Sequence, residues 1–152
     1  MATSHRVAIL CLQETKISVW SPELVRKIGG THLTDCIALP AIDTSGGAAI
    51  LWKKELATIV SHAIGVFAIT AKITLLGETE GFSLSYVYGP ADDARKGSFL
   101  LEKSRSAPPA AEPWIINGHF NLIYEARDKN NLNLNRHGQV QISHRRREFE
   151  GN

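Results

Sequence analysis

Four side chains able to do chemistry stand where apolar runs of this chain give out. His119 and Asn121 follow Pro113-Trp114-Ile115-Ile116-Asn117-Gly118. The bulky residues from Trp114 to Ile116 show no polar alternation and read as a strand buried on both faces, with Gly118 marking a sharp change of backbone direction. Ligands in α/β sheets bind just beyond the carboxyl ends of strands, so His119 and Asn121 sit where a site is expected, and an imidazole there can accept a proton. Glu14 falls at the end of a second run, Val7 to Leu12, and Tyr88 closes a third, Phe82 to Tyr88. Each position also suits a plain reading: a strand-to-loop turn, a surface acid, a core aromatic with its hydroxyl at the rim.

The elements that must hold these residues are mostly strands. Val7 to Leu12 is a buried-strand pattern cut off by Gln13-Glu14-Thr15-Lys16. Ser21-Pro22-Glu23 is a helix start, with Ser as N-cap and Pro at the first helical position. Gly29-Gly30 is the stop, giving a short helix from about Pro22 to Ile28. His32 to Leu39, Gly47 to Trp52, Ala57 to His62 and Val66 to Leu76 are β-branched or apolar runs between Pro, Gly or charged turns. In the last of these, Phe67, Ile69, Ala71, Ile73 and Leu75 alternate with Ala68, Thr70, Lys72 and Thr74, as for a strand with one buried face. Phe82 to Tyr88 again places its large residues on one face. Asp92 or Asp93 caps a helix over about Ala94 to Lys103, which Ala107-Pro108-Pro109 separates from the strand at Trp114. Trp52 and Trp114 read as packing residues.

Composition sets the outer bounds. A chain of 152 residues with 43% hydrophobic and 7% aromatic content suits one folded domain with a real core. No apolar run approaches the roughly 20 residues of a membrane span, and the N-terminus lacks the order of a signal peptide. The expectation is a soluble intracellular chain, nuclear or cytoplasmic, with no membrane partner and no small-molecule cofactor. Cys11 and Cys36 have neither the number nor the spacing of a disulfide framework or zinc site and read as buried free thiols. Of the net charge of +2, the segment from Arg127 onward carries +3, from six Lys/Arg against three acids, which leaves the preceding body at about −1. That tail is asparagine-biased and then polar without period, so residues 127–152 are expected to be a disordered basic tail, and residues 1–126 the domain. Such a tail can meet nucleic-acid phosphates through counterion release, although charge runs are more often simply solvated.

Four segments in order carry a resemblance: Leu10-Cys11-Leu12-Gln13-Glu14-Thr15-Lys16, Gly46-Gly47-Ala48-Ala49-Ile50-Leu51-Trp52, Val87-Tyr88-Gly89-Pro90, and Trp114-Ile115-Ile116-Asn117-Gly118-His119-Phe120-Asn121. Together they resemble the endonuclease/exonuclease/phosphatase superfamily of DNase I-like folds, most closely the endonuclease domain of LINE-type non-LTR retrotransposons. The resemblance implies an α/β sandwich of two packed, mostly antiparallel or mixed sheets with outer helices. It also implies Mg²⁺-assisted phosphodiester cleavage with DNA as partner. On that reading Glu14 matches the metal-binding glutamate, Tyr88 the tyrosine near the phosphate, and Asn121 the asparagine that supports it.

Three departures qualify the inherited roles. His119 stands where the family's Gly-Asp-Phe-Asn signature has the aspartate that activates water. Imidazole brings no permanent negative charge, so His119 is expected to be a weak base at best, and loss of a positioned base costs about 10²–10⁴-fold in rate. Only a few residues precede Val7, where the family has a further strand, and Ser143-His144 lacks the Asp of the family's Ser-Asp-His signature. The expectation is thus a domain truncated at both ends, with lost or weak catalysis and with unpaired strand edges that favour oligomers or aggregation. The alternative is a non-catalytic nucleic-acid-binding remnant that uses the basic tail.

Overall fold

The computed structural model describes residues 7–41 and 46–122. By internal contacts the chain divides into residues 1–121 and residues 122–152. The elements below all belong to the first unit, and the expected disordered tail and Ser143-His144 lie outside the described residues.

Strands β1 (Ile9–Gln13), β2 (Asp35–Leu39) and β3 (Ala48–Trp52) form an antiparallel sheet in the order β1-β3-β2. Cys11 and Ile37 flank Ile50 in register. Helix α1 (Pro22–Gly29) begins as its sequence dictates: the Ser21 hydroxyl accepts the Leu24 N–H at 3.1 Å, Pro22 opens the first turn, and Gly30 closes it at φ +65°. Its one buried residue, Val25, joins Leu33, Ala49 and Leu51 in an apolar layer on the outer face of this sheet.

The second sheet is β4 (Ala57–Ile64), β5 (Ala68–Leu75), β6 (Phe82–Tyr88) and β7 (Trp114–His119), in that order. The first three form an antiparallel meander with a register shift between Ile59 and Ser61; β6 and β7 run parallel. A parallel neighbour needs a crossover, supplied here by helix α2 (Asp93–Arg105), whose N-cap Asp92 accepts the Ala94 N–H at 3.0 Å. The two sheets close on a core of Ile37, Ala48 and Ile50 from one side and Ile69, Ala71, Ile73, Leu84 and Tyr86 from the other. This is a two-sheet α/β sandwich with mixed and antiparallel strands. On the far side of the second sheet, Phe99 of α2 packs edge-on to Phe67 and Phe120, with centroids 5.7 and 6.3 Å apart. The Glu102 carboxylate of the same helix accepts the Val66 and Phe67 N–H groups, both at 2.9 Å.

Several sequence expectations change here. β7 is not buried on both faces: Trp114, Ile116 and Gly118 are half-buried, whereas Ile115, Asn117 and His119 are exposed, Ile115 by 50%. The three-stranded sheet packs on β5 and β6, so the inward face of β7 extends past its cover. Gly118 does not turn the chain, because β7 runs through it to His119. Its φ is +129°, and a Cβ would stand 2.0 Å from the Val87 carbonyl oxygen, so glycine is required by a close backbone approach. β6 is buried on both faces, not one. Its inward residues lie in the core. Outward, Ser85 Oγ accepts the Trp114 indole N–H and meets Thr70 Oγ1, both at 2.9 Å, and Ser83 donates to Glu112 at 2.6 Å. Hydrogen bonding lets these hydroxyls be covered without penalty. Cys11 and Cys36 are free as expected but only half-buried, with burial pushing both thiols up to about 11. Trp52 and Trp114 are packing residues.

Candidate functional site

All four residues singled out from the sequence belong to one corner of the molecule, where the carboxyl ends of β1, β6 and β7 meet. Glu14 is the first residue after β1, in the left-handed region at φ 52°, and Lys16 shares that conformation at φ 55°. The turn is held by main-chain bonds: Thr15 N–H donates to Gly47 O at 3.2 Å and Lys16 N–H to Gly46 O at 3.1 Å. Gly46 and Gly47 have φ +74° and +84°; a Cβ on Gly46 would stand 3.2 Å from the Tyr88 ring, and one on Gly47 would stand 2.5 Å from Thr15 Oγ1. The glycine pair therefore seats both the acid and the phenol. Sequence reasoning used these glycines only as part of a motif, and their pairing ahead of an apolar strand was the signal for this role.

Tyr88 ends β6 and its hydroxyl donates to Glu14 Oε1. That hydrogen bond, then burial, then the charge of Glu14 hold the Tyr88 pKa above its ordinary 10.0, so the phenol stays protonated. Opposite Tyr88 in register is His119, with ring centroids 6.0 Å apart and planes inclined by 33°.

His119, Asn121 and Gly89 form a closed relay. Asn121, at φ 51°, donates from Nδ2 to the Gly89 carbonyl at 2.7 Å. Its Oδ1 is thereby turned toward His119 Nε2, 2.6 Å away. An amide oxygen only accepts, so Nε2 carries a proton, and in the neutral imidazole the lone pair is then on Nδ1. Gly89 N–H in turn donates to the His119 carbonyl at 2.6 Å, and a Cβ on Gly89 would strike the Phe120 carbonyl. Two of the four candidate residues thus adopt a left-handed backbone, each costing about 1–3 kcal/mol, as happens where a side chain must be aimed.

Glu14 is the carboxylate that the Tyr88 hydroxyl meets at this corner, and among the described residues no three His, Cys, Asp or Glu side chains are grouped to hold a metal ion. Mg²⁺ is commonly bound through one or two carboxylates, with waters and substrate phosphate completing its shell. An exposed carboxylate beside a neutral phenol fits that mode of binding and does not fit a closed protein cage.

A two-sheet α/β sandwich with polar groups converging at strand ends defines the broad class, and comparison with known proteins gives the family. The profile of the Endonuclease/Exonuclease/phosphatase family matches residues 1–148, and the chain belongs to that family, whose members are nuclease- and phosphatase-type hydrolases. No curated protein sequence matches the chain. Among solved structures it is similar to a functionally unknown conserved protein from Enterococcus faecalis V583, with 15% identity over 75% of this chain and 52% of that one and a TM-score of 0.53. The human Nocturnin catalytic domain with bound sulfate anion matches at 16% identity over 75% and 51%, TM-score 0.49. Humanized D. rerio TDP2 carrying 14 mutations matches at 17% over 76% and 50%, TM-score 0.49. The chain spans about half the length of these structures. Among the described residues no helix is long and apolar enough to cross a membrane.

Proposed function

We propose that this chain is a phosphodiesterase-type domain of retroelement endonuclease origin, directed at DNA and with its catalysis lost or strongly reduced. Glu14, Tyr88, His119 and Asn121 are its site residues. The observation that carries the reading is the His119–Asn121–Gly89 relay. Hydrolysis of a phosphodiester needs a group that takes a proton from the attacking water as its oxygen bonds to phosphorus. With Nε2 committed to Asn121, Nδ1 of His119 is the one nitrogen that can do so, and it lacks the negative charge that helps a carboxylate orient water. Asn121 places its amide oxygen on His119 and one of its two Nδ2 N–H groups on Gly89, which leaves one N–H for a phosphate. Tyr88 can donate to a phosphoryl oxygen only by giving up Glu14. Glu14 is the residue that would hold Mg²⁺, which when bound supplies charge neutralisation at the scissile phosphate and the departing oxygen.

The retroelement branch and DNA as substrate are supported by Gly46-Gly47-Ala48-Ala49-Ile50-Leu51-Trp52 and Val87-Tyr88-Gly89-Pro90. The test is nicking of supercoiled plasmid in Mg²⁺ by the natural chain, Glu14→Ala and His119→Asp, each matched to the natural chain by circular dichroism. His119→Asp is expected to nick faster than the natural chain by about 10²-fold or more, and Glu14→Ala to be silent. Nicking by the natural chain as fast as by His119→Asp would refute the assigned defect.

A further inference from the structure

Beside Tyr88, a cleft of about 400 Å³ opens between the Gly46-Gly47 turn and the start of α2. This volume lies within the roughly 300–1,000 Å³ usual for ligand sites. Gly46, Gly47, Tyr88, Pro90, Phe67 and Arg95 are among the residues that line it. Arg95 is in the first turn of α2, its guanidinium carbon 5.0 Å over the Phe67 ring.

The support beneath that guanidinium is stiff. Phe67 is almost fully buried, is braced edge-on by Phe99, and has its own N–H held by Glu102. A cation stacked on an aromatic face keeps its in-plane N–H groups free to meet an anion. Among the described residues no carboxylate pairs with Arg95: Lys96 takes Asp93, and Asp92, the acid on the cleft, is turned onto the Ala94 N–H. An arginine stacked in place, with no carboxylate partner among the described residues and lining the same cleft as Tyr88, has the features of an anion contact. Its ring contact is with Phe67, whereas the Tyr88 hydroxyl is bonded to Glu14, and the anion it would meet is taken as a second one.

We infer that Arg95 grips a phosphate of a nucleic-acid strand next to the one presented to Glu14 and Tyr88, so that the cleft takes the intervening nucleotide. This rests on the phosphodiester reading given above and adds a strand requirement to it. Repeating phosphates, with a sugar and base between them, match a cation and a phenol on one cleft whose lining also includes the apolar Leu39, Pro40 and Val66. A guanidinium can take a phosphate in bidentate fashion.

The test is fluorescence anisotropy in Mg²⁺ across a salt series, with a single-stranded dodecamer, a dinucleotide and inositol hexakisphosphate as probes. The proteins are the natural chain, Arg95→Gln and Arg95→Lys. Arg95 is exposed and outside the core, so the variants are expected to melt with the natural chain. Arg95→Gln should bind the dodecamer about tenfold more weakly and lower the slope of log affinity against log salt by about 1. Dinucleotide binding should be unchanged, and Arg95→Lys should restore part of the loss and the full salt slope. Equal dodecamer affinity and slope for the natural chain and Arg95→Gln would overturn the Arg95 assignment while leaving the phosphodiester reading intact. Preference for inositol hexakisphosphate over the dodecamer, lost in Arg95→Gln, would overturn the strand in favour of a soluble polyphosphate. Failure of the natural chain to bind the dodecamer and the dinucleotide would overturn both readings.

Discussion

β6 and β7 lie side by side in parallel, paired from Ser83 with Trp114 to Tyr88 with His119, yet their burial is the reverse of what their residue types suggest. Phe82-Ser83-Leu84-Ser85-Tyr86-Val87-Tyr88 alternates large and small polar residues and looks half-exposed; it is covered on both faces. Trp114-Ile115-Ile116 is continuously apolar and looks enclosed; Ile115 is 50% exposed. The difference teaches that burial belongs to a strand's neighbours. β6 has the three-stranded sheet on one side and Trp114 with Glu112 on the other, and its serines are taken in because each finds a hydrogen-bond partner. Among the described residues β7 has a neighbouring strand along one edge only, and the three-stranded sheet packs on β5 and β6.

The comparison can be broken most severely at the seam. Gly118→Val places a β-branched residue at φ +129° with its Cβ against Val87 O. The chain should lose more than about 4 kcal/mol or fail to fold, read by urea unfolding. An unchanged midpoint would mean that the close approach of β7 to β6 is not needed. A second pair tests the two strands directly, since Leu84 and Ile115 are partners in register, one 6% and the other 50% exposed. Leu84→Ala should cost about 2–5 kcal/mol and Ile115→Ala about 0.5 kcal/mol or less. Equal losses would show that something covers β7 in solution.

The smallest effect concerns the polar cover of β6. Glu112 accepts Lys72 Nζ and Ser83 Oγ, each at 2.6 Å. The hydrogen bond from Lys72, then that from Ser83, hold its carboxyl below the ordinary 4.5. A depressed carboxylate contributes stability that is fully present above the unfolded pKa and is lost as pH falls through the folded one. The urea midpoint of the natural chain should therefore drop more than that of Glu112→Gln as pH is lowered from 6 toward 3, and parallel curves would refute the role.

Much of the framework was legible in the sequence because it rests on local signals. Ser21-Pro22 and Asp92 cap the two helices, and the alternation from Phe67 to Leu75 is that of β5. The gathering of Glu14, Tyr88, His119 and Asn121 at one corner was legible only through motif order, since nothing local links residue 14 to residue 121. What the sequence did not reveal was long-range or conformational. The positive φ of Glu14 carries no residue signature, and that of Asn121 carries only the general tolerance of asparagine for that region. The Glu102 clamp on Val66 and Phe67 joins residues with no sequence pattern between them, and the tautomer of His119 depends on a carbonyl at Gly89. Gly118 was visible as a glycine but misread as a turn, because close approach and reversal leave the same letter in the chain.

The parallel pairing of β7 also bears on the order in which the chain assembles. β4, β5 and β6 follow one another as a meander whose contacts close short loops, whereas β7 can dock only after residues 89 to 113, α2 among them, have found their place. Loop-closure entropy makes such non-local parallel pairing the later event. Pulse-labelled hydrogen exchange during refolding should then protect the Ala71 and Ile73 amides before that of Ile116, and simultaneous protection would refute this order. Within this sheet the candidate site, which needs Tyr88 beside His119, would be the last part to come into being.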